Sequence, residues 1–203
     1  MRIIVEISLI LLAYLFGSIP FGYLFTLKFA GKNIREIGSG NIGSTNVRRV
    51  AGAKIAFLTQ VCDMLKGLLS VATILLFQYT KCYTFSETYI YQIAFASILG
   101  HNFSIFLNFK GGKGVNTTLG ASILLSPITV LVAVLVFYIV KLSTKYVSLG
   151  SICLSVTLPV CEFMIHKSTM LFVYFLFSSA LIIIMHLPNI ARLINGNENK
   201  SQN

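Results

Sequence analysis

Charge is what this sequence has least of. Asp, Glu, Lys and Arg make up 11% of its 203 residues, against about 25% in a typical soluble domain. Acidic groups are the scarcer sign, six against sixteen Lys and Arg. Three histidines with so few carboxylates supply no metal-ligand set, and no Ser-His-Asp constellation is assembled. The four cysteines, Cys62, Cys82, Cys153 and Cys161, lack metal or redox spacing and lie mostly in apolar surroundings. They read as packing residues. Neither a metal nor a cofactor is expected. No internal repeat and no linker sets off a second domain. No small-x-small site closes the first apolar run, Ile3 to Phe29, which therefore reads as a retained span rather than a signal peptide.

What is there is apolar: 56% of the residues are hydrophobic. That places the chain among membrane proteins, all-α and polytopic. We expect one integral-membrane domain over residues 1–194 and a disordered polar tail, "NGNENKSQN", over 195–203. After the first run, apolar segments cover Ala53–Gln78, Tyr89–Leu107, Asn116–Leu125, Ile128–Val140, Leu149–Ile165 and Thr169–His186. At about 20 residues per span, most of these cross a bilayer. Asn116 to Val140 reads either as one helix kinked at Pro127 or as two short spans meeting at Ser126-Pro127.

Charge placement chooses between them. Six basic residues lie from Lys28 to Lys54, two in Lys110–Lys113, two at Lys141 and Lys145, and two at Arg192 and Lys200. Only Arg2, Lys81 and Lys167 fall at the opposite ends. Under the positive-inside rule the four clusters are cytoplasmic. Keeping Lys113 and Lys145 on one side requires two crossings between them. The expected topology is a bundle of about seven spans, N-terminus outside and C-terminus cytoplasmic; five or six spans with a re-entrant half-helix is the alternative. The net charge of +10 then follows from topology and from attraction to anionic lipid. With no aromatic-basic module and no zinc spacing, nucleic acid is not an expected partner.

Three polar regions carry candidate chemistry. The first, "EIGSGNIGSTNVRR" from Glu36 to Arg49, contains G-x-G-x-x-G at Gly38, Gly40 and Gly43. A dinucleotide fingerprint needs a preceding strand and an acidic residue about 20 positions on. Here a membrane helix precedes it, and Asp63 lies within an apolar span, so that reading fails. The underlying physics survives, because glycines let backbone N–H groups converge on an anion ahead of a helix start. A tight polar connector is the plainer alternative. Three glycines with five Ser, Thr or Asn and two Arg are rich for a connector, and phosphate binding is favoured.

The second region, Gly100 to Gly120, contains Lys110-Gly111-Gly112-Lys113-Gly114. It is not a Walker A loop, since Gly114 stands where Ser or Thr would be required. The third is scattered: Ser148 at a helix start, where a hydroxyl most often caps, and His186, Asn189 and Arg192 at i, i+3, i+6 near the cytoplasmic end of the last span. Asp63 and Lys66, three apart within a span, read as a self-neutralising ion pair before a catalytic one.

At these residues the chain resembles the bacterial acyl-phosphate-dependent glycerol-3-phosphate acyltransferases. The resemblance covers nearly the whole chain through "GSIPFGYL" at Gly17–Leu24, "GSGNIGSTNVRR" at Gly38–Arg49, "GHNFSIFLNFKGGKGVNT" at Gly100–Thr117, "YVSLGS" at Tyr146–Ser151, and "H-x-x-N-I-x-R-L" from His186. Ser44 and Asn116 stand where family members often carry alanine. The resemblance implies acyl transfer from acyl phosphate to the 1-hydroxyl of glycerol 3-phosphate, at a cytoplasmic site in the bacterial cell membrane. It implies as partners those two substrates, the lipid bilayer and a peripheral enzyme that makes acyl phosphate. By motif match, Ser39, Arg49, Lys113 and His186 would be catalytic. Gly40, Asn41, Thr45, Asn46, Gly111, Gly112, Ser148 and Asn189 would bind substrate, with Gly111 and Gly112 donating backbone N–H groups. The base for the glycerol hydroxyl is either His186 or a substrate phosphate oxygen. A transporter of phosphorylated small molecules is the competing class, though it commonly carries internal repeats.

Overall fold

The computed structural model describes residues 2–167 and 169–201. Among them there are ten α-helices and no strand: α1 Arg2–Ser18, α2 Phe21–Ala30, α3 Ser44–Ala51, α4 Ala53–Tyr79, α5 Glu87–Asn102, α6 Val115–Ser122, α7 Pro127–Thr144, α8 Val147–Ile165, α9 Thr169–Met185 and α10 Leu187–Ile194. They form two compact units, Met1–Leu124 and Leu125–Asn203.

Among the described residues, five stretches are long and apolar enough to cross a membrane: Arg2–Ala30, Ala53–Tyr79, Thr88–Leu107, Pro127–Thr144 and Val147–Ile165. The pair α9 and α10, bent by 57°, passes the same test as a broken span. The amphipathic pattern is that of a protein in lipid. On α7 the exposed residues Ile128, Leu131, Leu135, Ile139 and Leu142 make an apolar stripe, while the buried face carries Thr129, Val130 and Ala133.

In the first unit, α1 packs against α5, and α4 packs against α3, α5 and α6. Gly17 and Gly100 let the α1 and α5 backbones meet, since a Cβ on either would run into a carbonyl of the other helix. The first span breaks at Ile19-Pro20. Lys66 of α4, 1% exposed, reaches this break and donates to the Ile19 carbonyl at 3.1 Å. Its charge is met by Asp63, 3.0 Å away on the same helix. The ion pair anticipated from the i, i+3 spacing thus fastens α4 to the broken first span.

In the second unit, α7 packs on α8, and α9 on α8. Buried Glu162 of α8 accepts from Ser126 Oγ at 2.7 Å and Thr129 Oγ1 at 2.9 Å, which pins the start of α7. Pro127 opens α7, a position that needs no backbone donor. The segment that read as a kinked helix or as two elements is two: α6 ends at Ser122 and α7 starts at Pro127. At about 1.5 Å per residue, the eight residues of α6 span only some 12 Å. Yet Thr117 to Ser122 are all buried, so α6 is interior rather than lipid-facing.

Candidate active site

The first glycine loop is shaped by one side chain. Asn46, in the first turns of α3, is buried and folds back into the loop that precedes it. Its Oδ1 accepts the Ser39 N–H at 3.1 Å, and its Nδ2 donates to the Ile37 and Asn41 carbonyls, both at 3.0 Å, with Ile34 O at 3.4 Å. Asn41 Oδ1 accepts the Gly43 N–H at 2.8 Å, an Asx turn that delivers the chain into α3. Gly40 makes the turn with φ at +68°. Asn41 and Asn46 were expected to contact substrate. The Asn46 amide and the Asn41 Oδ1 are engaged inside the loop, and among the side chains the loop exposes are those of Ser39, Thr45, Arg48 and Arg49.

The second loop closes onto the end of α5. The last carbonyls of a helix have no partner within it. Here Gly111 N–H donates to Asn102 O at 3.0 Å and Gly112 N–H to His101 O at 2.9 Å. These two N–H groups, expected from the resemblance to face substrate, dock the loop onto α5 in this structure. The glycines are needed for another reason. A Cβ on Gly112 would strike the His101 ring, and one on Gly111 would strike the His101 carbonyl. His101 is itself backed by Asp63, with Nδ1 3.5 Å from Oδ1. The Asp63–Lys66 pair therefore stands directly behind the loop as well as behind the first span. Lys113 follows, half-buried, just before α6.

The two loops lie side by side. Asn116 Nδ2 of α6 is 3.5 Å from Ser44 Oγ of α3.

In the second unit the 57° bend between α9 and α10 falls at His186. Pro188 does not interrupt the turn: Asn189 N–H bonds His186 O at 2.8 Å, and α10 runs on to Ile194. The His186 ring is buried, with Nδ1 2.8 Å from the Ile182 carbonyl. A carbonyl can only accept, so Nδ1 carries a proton, and Nε2 is an acceptor whenever the ring is neutral.

Ser148, the second residue of α8, donates to Glu198 Oε1 at 2.9 Å. Asn189 Nδ2 donates to the same oxygen at 2.7 Å, and Arg192 Nε donates to Oε2 at 2.7 Å. Burial pushes the Glu198 pKa up, but the hydrogen bonds from Asn189, Arg192 and Ser148, with the Arg192 charge, outweigh it and hold the carboxyl below its ordinary value. Glu198 was overlooked in the sequence because it lies in the stretch read as a disordered tail, whose last two residues fall outside the described range. Two signals pointed to it: Gly196 as a helix stop, and a lone carboxylate among basic neighbours.

The sequence model of the family described as "Glycerol-3-phosphate acyltransferase" matches residues 7–196. A glycerol-3-phosphate acyltransferase from Clostridium acetobutylicum is 43% identical over 96% of this chain and 99% of its own. One from Acholeplasma laidlawii is 40% identical over 98% and 94%. Among solved structures, PlsY, an integral membrane glycerol 3-phosphate acyltransferase, superposes in its glycerol 3-phosphate form with a TM-score of 0.88 at 35% identity, covering 97% of this chain and 96% of that one. Its lysophosphatidic acid form gives 0.85 at the same identity, covering 96% and 94%.

Proposed function

Because the chain belongs to the glycerol-3-phosphate acyltransferase family, we propose that it transfers a fatty acyl group from acyl phosphate to the 1-hydroxyl of sn-glycerol 3-phosphate. The products are 1-acylglycerol 3-phosphate and phosphate, in the first acylation of phospholipid synthesis. The observation that carries the reading is the pair of adjoining loops that present Ser39, Arg49 and Lys113 on a buried polar scaffold within an otherwise apolar chain. Both proposed substrates are phosphates, and basic groups held on stiff loops suit them.

The hydroxyl oxygen of glycerol 3-phosphate attacks the acyl carbonyl carbon. The bond from that carbon to the bridging oxygen breaks, and phosphate leaves with the electron pair. The donor is already activated, so no acyl-enzyme is required. Arg49 and Lys113 neutralise phosphate charge, Ser39 and Thr45 hydrogen-bond it, and Gly40, Gly111 and Gly112 keep the backbone close to it. Ser148 and Asn189 bind substrate, as the family motifs imply. The hydroxyl proton goes to His186 Nε2, whose tautomer suits a base, or to a substrate phosphate oxygen.

For topology we propose seven crossings, counting α6 as a short one, with the N-terminus outside and the basic loops and active site facing the cytoplasm of a bacterial cell. Residues 1–194 act as one integral-membrane enzyme, supplied by a peripheral enzyme that makes acyl phosphate. The deciding experiment is an assay in detergent, where no compartments exist. Purified protein with acyl phosphate and glycerol 3-phosphate should form lysophosphatidic acid, and with acyl-CoA as donor it should form none. Absence of product from acyl phosphate would return the transporter reading.

A further inference from the structure

The connection from α5 to the second glycine loop spends backbone strain on an exposed aromatic residue. Asn108 and Phe109 both lie in the left-handed region, with φ at +52° and +59°. For a side chain as bulky as phenylalanine that conformation is a steric outlier, and it persists only where the surroundings impose it. Here they do. The Phe109 N–H donates to the Ser104 carbonyl at 2.8 Å, and the Lys110 N–H to the Leu107 carbonyl at 3.2 Å. Ser104 Oγ donates in turn to the Ser18 carbonyl at 2.5 Å, and Tyr14 Oη to the Phe103 carbonyl at 2.6 Å, so the turn is tied to α1.

The result is a fixed apolar knuckle. Leu107 turns inward, to the cluster of Ile34, Ile42 and Val47, while Ile105, Phe106 and Phe109 stay 46%, 60% and 59% exposed. A turn in water gains nothing by holding two phenylalanines outward. This one stands where a span finishes, since the apolar stretch Thr88–Leu107 ends here and Lys110 follows Phe109 directly. Apolar residues, then aromatics, then a basic residue is the order of a chain leaving lipid for water. The lysine meets anionic headgroups, and continuity with the span says that lipid covers the aromatics.

We propose that Phe106 and Phe109 insert into the edge of the bilayer leaflet at this end of α5, and that they set the depth of the adjoining loop from Lys110 to Gly114. Lys113 lies four residues beyond Phe109, on a stretch docked to α5 through Gly111 and Gly112. Anchoring the one fixes the other against the leaflet. A phosphate carried on a fatty chain lies at that depth, whereas a water-soluble phosphate is independent of it. Loss of the anchor lowers the fraction of protein whose loop stands at the level of a membrane-borne donor, and weakens the apparent binding of that donor alone. This consequence rests on the acyl-phosphate reading; the insertion does not.

The test uses the full chain in phospholipid vesicles. The chain has no tryptophan, so Phe109→Trp introduces a single emitter. Leu135→Trp, on the apolar stripe of α7, and Asn199→Trp, at an exposed position, are the lipid and water standards. We expect the emission of Phe109→Trp to be quenched by phospholipid brominated in its acyl chains, as that of Leu135→Trp is, and to be shielded from acrylamide. Quenching by acrylamide to the extent seen for Asn199→Trp would overturn the insertion. Shielding from both quenchers would overturn it too, since protein rather than lipid would then be the cover. The depth role is read from KM in the Phe106→Ser, Phe109→Ser double variant. The KM of a long-chain acyl phosphate should rise about tenfold, the low end of the transfer free energy of one phenylalanine. Those of glycerol 3-phosphate and of a short-chain acyl phosphate dissolved in water should stay within about twofold of wild type. A long-chain KM within the same margin, or an equal rise for all three, would overturn the depth role. Replacing both residues by leucine, which keeps the surface apolar, should restore the wild-type KM. Should the double serine variant fail to fold, Phe109→Ser alone takes its place in the same comparison. Lipid quenching of Phe109→Trp with no acyl transfer from any donor would leave the insertion standing and defeat the proposed function instead.

Discussion

Ser39, in the loop, and Asn46, at the start of α3, lie seven residues apart and have different tasks. Asn46 is buried and spends its whole amide on the loop backbone, while Ser39 is exposed. Removing a buried side chain of this kind leaves backbone donors and acceptors unmatched, at about 1–3 kcal/mol. Asn46→Ala should therefore lower the melting temperature in detergent and reduce transfer with it. Ser39→Ala should reduce transfer while melting as wild type does. Equal melting temperatures for the two variants would move Asn46 from scaffold to substrate contact. Lys66 offers the same contrast on a larger scale, since a cation within a span invites a catalytic reading, yet its donors go to Asp63 and to the broken first span.

At the scale of elements, the end of α5 and the loop beyond it form one rigid corner. The terminal carbonyls of α5 bind the Gly111 and Gly112 N–H groups, and the His101 ring occupies the space a side chain at position 112 would take. Asp63 of α4 backs that ring. Lys113 is thereby set one residue beyond a fixed point. A methyl group at position 112 must displace either the ring or the loop, and a misplacement of about 1 Å can cost on the order of a hundredfold in rate. Gly112→Ala should lower kcat/KM by about that factor in protein that still elutes as a single folded species. Unchanged kcat/KM would detach the loop backbone from the reaction.

For the molecule as a whole, many large apolar side chains are exposed while charged and polar ones are buried beside an apolar core, unlike a soluble protein. Leu131 and Ile139 are more than half exposed, while Asp63, Lys66, His101 and Glu162 are buried. Such a chain gains by entering lipid, and the distribution of Lys and Arg then sets its direction. Exposed Cys82 lies between α4 and α5, in the connection assigned to the outside. An impermeant thiol reagent applied to intact cells should label Cys82. Cysteines placed at Ser44 and Asn195, in a background lacking Cys82, should be labelled only after lysis. Reaction of the Ser44 cysteine from outside would invert the proposed orientation.

Local pattern was enough for the helical membrane class, the positions of the apolar segments and the three polar regions. Hydropathy and charge are properties of contiguous residues, and the family motifs are runs of a few residues in a set order. The break between α6 and α7 was legible in part, because Pro127 punctuates it, but not that α6 would be short and wholly buried. Tertiary structure decided which way the polar groups face. Asn41, Asn46, Gly111 and Gly112 look like ligand-binding groups when read along the chain, and only folding shows that their hydrogen bonds close on neighbouring backbone. It also decided the Glu198 latch, whose bond to Ser148 joins residues 50 apart in sequence. A hydrogen bond depends on distance and direction in space. Sequence spacing specifies these only within a turn or two of helix, and beyond that the packing of whole helices sets them.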